Sequence, residues 1–180
     1  VPHMPLNVAD THCDFLCFSG HKMLAPMGAG VLWMRREEGV EPLLLGGGMV
    51  EDADMEGYVA KKGYEAYEAG TPDISAAIGL GRALDYLRDV GMEKIHSHEQ
   101  RLALRLAEGL REIKGVVVYG PPSSRNRQSG VVSFSVEELL PHEVAMMLDQ
   151  AAGICVRSGH HCCIPLMKHL GLKHGTVRAS

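Results

Sequence analysis

Two short strings and two single residues concentrate the side chains able to do chemistry. Ser19-Gly20-His21-Lys22 brings a hydroxyl, an imidazole and a primary amine together just after an apolar run. That company suits an amine nucleophile beside donors able to hold a phosphate. Arg157-Ser158-Gly159-His160-His161-Cys162-Cys163 gathers a cation, two imidazoles and two thiols. Cys162 is the candidate nucleophile there, its thiolate favoured by nearby positive charge. Arg178 lies beyond a predicted short helix, where it could return to the same pocket, and a guanidinium suits a carboxylate gripped at two points. Thr71 heads a predicted helix, whose free N–H groups can bind phosphate.

Each residue alone also has an ordinary reading. Lys22 could be a solvated loop lysine, Arg178 a surface charge, Thr71 a simple cap, and Cys162 and Cys163 small structural thiols. Histidine and cysteine are also the ligands that zinc and copper prefer. Four adjacent residues diverge, however, and spaced pairs of the C-x2-C or H-x3-H kind are absent, so no metal site is expected.

The elements that must position these groups follow from local pattern. Residues 14–18 read as a buried strand delivering polar residues at its tip, and residues 31–34 as a second strand closed by Arg35, Arg36, Glu37 and Glu38. Residues 39–70, rich in glycine and weakly periodic, read as a long loop. Thr71-Pro72-Asp73 predicts a helix start with a hydroxyl cap and a proline at the first helical position, and Ile74, Ala77, Ile78, Leu84 and Leu87 form its apolar stripe. A longer helix follows from Met92, with Ile95, Leu102, Leu106, Leu110 and Ile113 on one face and Gly115 as its stop. The remaining pattern is strand 116–119, turn 120–122, strand 131–136, helix 141–150, strand 154–157, helix 164–170 and a strand entering at Thr176, with 123–128 as a loop tip. The predicted division is 1–91 and 92–180.

Composition narrows the class. With 180 residues, 46% hydrophobic and 22% charged, the chain can bury a core, and its formal charge of −4 argues against a partner held through nucleic-acid phosphates. No apolar run approaches a membrane span, and the opening residues lack a leader's pattern, so the expectation is a cytoplasmic, membrane-free protein. Five cysteines at irregular spacing suit reduced thiols rather than a disulfide framework. Both ends read as cut from a longer chain.

Phe18-Ser19-Gly20-His21-Lys22, Glu68-Ala69-Gly70-Thr71-Pro72 and Val156 to Cys162, in this order, resemble the class V aminotransferase-like cysteine desulfurases. The SUF-type (group II) branch, which includes selenocysteine-lyase-like enzymes, is most similar because of its Arg-x-Gly-His-His-Cys string. The resemblance implies an α/β, fold-type I enzyme dependent on pyridoxal 5'-phosphate (PLP). Residues 1–91 would be the C-terminal part of the PLP-binding large domain, which is built around a mostly parallel sheet. Residues 92–180 would be the linking helix and a truncated small α+β domain.

By the same resemblance, Lys22 binds PLP covalently, and Ser19 and His21 hold its phosphate. Gly70 and Thr71 reach the cofactor of a neighbouring subunit, which makes the enzyme a homodimer with a shared active site. Arg178 holds the substrate carboxylate, Arg157 shapes the mouth near the thiol, and Cys162 takes sulfur from L-cysteine as a persulfide. L-alanine is released, and the sulfur passes to a SUF-type acceptor for iron–sulfur cluster assembly. Selenocysteine lyase is the nearest alternative, and a catalytically incompetent fragment or metal-binding domain is the alternative of a different class. Upstream residues that tune the cofactor ring in this family are absent from the chain, and Cys163 stands where alanine is commoner.

Overall fold

The computed structural model describes residues 1–36, 40–121 and 129–180, which fold as two compact units. The first comprises residues 1–2 and 6–91, the second residues 3–5 and 92–180. The expectations for Glu37, Glu38, Pro122 and the loop tip 123–128 lie outside the described residues.

In the first unit, helix α1 (Val8–Thr11) leads into strand β1 (Phe15–Ser19), which pairs antiparallel with β2 (Gly30–Met34). Their register sets Ser19 opposite Gly30, so the polar tip of β1 opens directly into a 3-10 turn, Gly20–Met23. β1 is not buried as expected: Phe15 is 53% exposed and Cys17 is exposed as well. A two-stranded ribbon covers neither of its own faces.

The predicted loop 39–70 instead holds a hairpin, β3 (Val50–Ala53) with β4 (Tyr58–Ala60), and a second 3-10 turn, Gly63–Tyr67. Asp54 closes the hairpin, its carboxylate accepting from the amides of Glu56 and Gly57. Charged residues and a bulge in β3 hide the alternation that would have betrayed it.

Helix α2 (Ile74–Val90) begins later than expected. Asp73, not Thr71, is the N-cap, and its Oδ1 accepts from the Ala76 amide at 3.0 Å and from the Ser75 hydroxyl at 2.8 Å. A carboxylate caps at least as well as a hydroxyl and also complements the helix dipole. The buried face is Ala76, Leu80, Ala83 and Leu87, whereas Ile74 and Ile78 face solvent. Alanines share the covered side with two leucines where the helix packs over the first 3-10 turn, in which Met23 is buried.

The second unit is a four-stranded sheet in the order β5-β6-β8-β7, with β5 Val116–Tyr119, β6 Val132–Val136, β7 Arg157–Gly159 and β8 Thr176–Ala179. Every pairing among the described residues is antiparallel, so the mostly parallel sheet expected of the large domain is not visible in them. Strand β7 starts where 154–157 was expected to end.

β6 reads Val-Ser-Phe-Ser-Val, a period of two that puts Val132 and Phe134 on one face. Val177, opposite Phe134, joins them there. Helix α3 (Met92–Arg111) lays Ala103 and Ala107 on this face beside Val132, and α4 (Pro141–Ala152) lays Val144 beside Phe134 and Val177. The predicted leucine stripe of α3 is displaced: Leu102 is 51% and Leu106 38% exposed, because alanines let the helix backbone approach the sheet. Helix α5 (Ile164–His169) bridges β7 and β8.

The two candidate caps give opposite expectations for α2. Asp73→Ala is expected to lower the melting temperature followed by circular dichroism, and Thr71→Ala to leave it unchanged. Hydrogen bonds from the Ala76 amide and then the Ser75 hydroxyl hold the Asp73 carboxyl below its ordinary value of 3.8. The Asp73 contribution is therefore present above that value and lost as pH falls through the lowered one.

Candidate active site

Lys22 and Cys162 belong to different units, and each unit builds its own array. In the first, Ser19 ends β1 and caps the 3-10 turn without using its hydroxyl in the cap. The turn can start there because Gly20 is buried: its amide donates to the Ala29 carbonyl at 2.8 Å, and a Cβ would meet that oxygen at 2.9 Å. The turn then projects His21 and Lys22 into solvent. Neither side chain has a partner among the described residues.

The group implied by the resemblance carries an aldehyde and a phosphate. An exposed, unpartnered amine flanked by an unused hydroxyl and an unpartnered imidazole is a donor set that fits both functions. Gly70 lines a cleft of about 570 Å³ with Gly28, Gly30, Glu65, Glu68 and Asp73, which neither Lys22 nor Thr71 borders. The Gly70 amide already donates to the Gly47 carbonyl at 2.7 Å, and Thr71 is exposed ahead of the helix. The Asp73 carboxylate occupies the α2 terminus. An anion at Thr71 thus gains nothing from a free helix start, contrary to the sequence argument.

In the second unit the chemistry sits on the sheet face opposite the helices. Arg157 pairs with Arg178 in the β7–β8 register, and Arg178 with Ser133 in the β6–β8 register. Two cations directly opposite on neighbouring strands repel. Neither has a carboxylate partner among the described residues, and the Arg178 Nε is buried without an acceptor. Two guanidinium groups so placed can grip an anion through two oxygens. Arg157 Nη2 also donates to Cys162 Sγ at 3.3 Å, a fitting partner for a sulfur that bears negative charge.

The loop carrying that thiol is strained. His161 (φ 54°) and Cys162 (φ 62°) are both left-handed, each costing about 1–2 kcal/mol for a residue with a Cβ. Contacts to the chain leading into β8 hold it. Gly175, at φ 76°, lies so close that a Cβ there would overlap the Gly159 carbonyl and the His160 amide. His160 Nε2 lies 3.1 Å from the Lys173 carbonyl, and His161 Nε2 lies 3.0 Å from the carbonyl and 2.9 Å from the hydroxyl of fully buried Thr176. A carbonyl cannot donate, so Nε2 carries the proton, and Nδ1 is left buried without a partner.

Burial pushes the His161 imidazole below its ordinary value of 6.5. The Thr176 hydrogen bond opposes this, and Arg178, Arg157 and His160 add to the lowering. Cys163 donates its thiol to the His160 carbonyl at 3.0 Å. Sequence reasoning missed Thr176 and Gly175, although a glycine immediately before a strand aimed back at the thiol string was the available signal.

Among the described residues, no three histidine, cysteine, aspartate or glutamate side chains converge on a metal position. Nor is any helix among them long and apolar enough to cross a membrane.

Comparison with known proteins adds the lineage. Residues 1–180 match the class-V aminotransferase family. A probable cysteine desulfurase of Halalkalibacterium halodurans is 44% identical over 181 residues, covering 99% of this chain and 43% of that protein. One from Pyrococcus abyssi is 45% identical over 183 residues, covering 100% and 45%. The apo structure of a cysteine desulfurase from Thermococcus onnurineus NA1 superposes with a TM-score of 0.91 at 46% identity, covering 99% of this chain and 44% of that one. An Escherichia coli cysteine desulfurase in its S-sulfonic acid form gives 0.88 at 32%, with the same coverage. The chain therefore spans less than half the length of the relatives it matches.

Two measurements check the thiol loop. Gly175→Ala is expected to cost about 3 kcal/mol or more in urea unfolding, because overlap and left-handed strain act together. The neutral His161 contributes stability that is present above pH 6.5 and lost as pH falls through its lowered value. The melting temperature of His161→Gln should accordingly depend less on pH across that acidic window than that of the parent.

Proposed function

Because the chain belongs to the class-V aminotransferase family, we propose that it is the part of a PLP-dependent cysteine desulfurase that carries the cofactor lysine and the sulfur-accepting cysteine. The observation that carries the reading is the array in the second unit, where an exposed thiol accepts from Arg157 while Arg157 and Arg178 stand side by side without acids. A small amino acid whose carboxylate and sulfur must both be engaged suits those groups. The relatives named cysteine desulfurases support the same substrate class.

Lys22 Nζ would hold PLP covalently, with Ser19 and His21 on its phosphate. Gly70 and Thr71 act toward the cofactor of a second subunit in a homodimer, Thr71 through its own hydroxyl and amide. When bound, PLP supplies an electron sink that labilises bonds at the substrate α-carbon. Arg178 takes the α-carboxylate of L-cysteine, leaving Arg157 to orient the Cys162 sulfur. That sulfur attacks the substrate sulfur: the Cys162 S–S bond forms, the substrate C–S bond breaks, and its electron pair stays with the carbon fragment, which leaves as L-alanine after protonation. The Cys162 persulfide passes its outer sulfur to an acceptor of the SUF type for iron–sulfur cluster assembly, in the cytoplasm. The Arg-x-Gly-His-His-Cys string is what favours the SUF branch.

Cys162→Ala in the full-length protein should abolish alanine formation from cysteine and persulfide detected by mass spectrometry, while the visible absorbance of bound cofactor persists. Lys22→Ala should remove that covalently held absorbance. Undiminished alanine formation by Cys162→Ala would remove the thiol from the reaction.

A further inference from the structure

Among the described residues five with a Cβ adopt positive φ, and only His161 and Cys162 are consecutive. His12 and Leu24 close helical turns as single left-handed caps, a common use of that conformation. The pair at 161–162 closes no such end. It relaxes to the ordinary negative φ unless something holds it, and a change of that size at residue 162 swings Sγ away from Arg157.

The backbone closes the turn from the Cys163 amide to the His160 carbonyl at 2.9 Å, and the pair's own side-chain anchor is His161. The His161 ring is fastened through Nε2 to both oxygens of Thr176, a residue with no exposed surface in β8. Its Nδ1 is buried and bonded to nothing among the described residues, so the ring has no second anchor. Cys162 itself is exposed, and among the described residues the one polar contact of its thiol is to Arg157. The ring therefore faces the protein interior while the next side chain faces out, as expected of a group that acts on its neighbour through the backbone.

We propose that His161, fastened to Thr176, is the positioning residue for Cys162: it keeps the left-handed pair in place and so holds the thiol against Arg157. This rests on reading Cys162 as the sulfur-accepting thiol, but the contact itself is measured without turnover.

The test is made in the full-length protein with His161→Phe, which keeps a ring and loses the donor, with Arg157→Ala, and with both together. Iodoacetamide alkylation is followed at each cysteine by peptide mass spectrometry, with exposed Cys17 and Cys155 as internal references. Each single change should slow Cys162 about tenfold and the pair no further, because both break one contact. Cys17 and Cys155 should keep their rates. In turnover, kcat should fall while KM for cysteine stays within about twofold. His161→Gln, whose amide can still donate to Thr176, should recover most of the lost alkylation rate.

An unchanged Cys162 rate in His161→Phe, or losses that multiply in the double variant, would overturn the role. If His161→Phe does not fold, Thr176→Val removes one of the two acceptors and should slow Cys162 alone, an unchanged rate again being contrary. If the alkylation pattern holds while Cys162→Ala still makes alanine, the assigned reaction fails and the positioning role stands.

Discussion

The second unit depends on one close approach, that of the Gly175 backbone to the Gly159 carbonyl and the His160 amide. Only a residue without a Cβ, at positive φ, can bring β8 this near the end of β7. Once it does, the β7–β8 register sets Arg157 opposite Arg178, Thr176 comes within reach of the His161 ring, and the left-handed pair at 161–162 has its anchor. The thiol, the guanidinium that touches it and the guanidinium beside that one are thus consequences of a single joint.

The first unit solves a different problem, which is to offer an amine rather than to strain a thiol. A two-stranded ribbon ends in a 3-10 turn over Gly20, and the turn points His21 and Lys22 outward without engaging either. In the proposed role, an unpaired amine has no hydrogen bond to break before a carbonyl partner arrives. The neighbouring helix start is satisfied from within by Asp73, so it does not compete for the same anion.

Much of this was legible in the sequence where pattern and local chemistry coincide. β6 alternates strictly, and its neighbours and helix α4 fall where their apolar periods put them. The site strings were legible by type and order, with Ser19, His21 and Lys22 sharing one turn and Arg157 touching Cys162. Legibility failed where tertiary packing outranks hydrophobicity. Both long helices bury alanines and leave larger side chains such as Ile74, Ile78, Leu102 and Leu106 outward, because close approach to a turn or a sheet demands small residues there. The hairpin at 50–60 was hidden by charged strand residues and a bulge. Thr71 lost the cap to Asp73 because two good capping residues stood two apart, and spacing cannot choose between them.

Most of the costs visible among the described residues of the second unit fall in one stretch, residues 157–178, with left-handed Glu138 the exception. Two arginines face each other without an acid, a guanidinium nitrogen and an imidazole nitrogen are buried unpaired, and two consecutive residues are left-handed. A fold optimised for stability alone would relieve them with a few substitutions: an acid for one arginine, an apolar residue for the other, and glycine at both 161 and 162. Strain and unpaired charge persist where the surrounding structure over-determines them and where they serve chemistry. They lie along the two strands and the loop that carry Arg157, Arg178 and Cys162, and the joint at Gly175 is what the fold uses to sustain them.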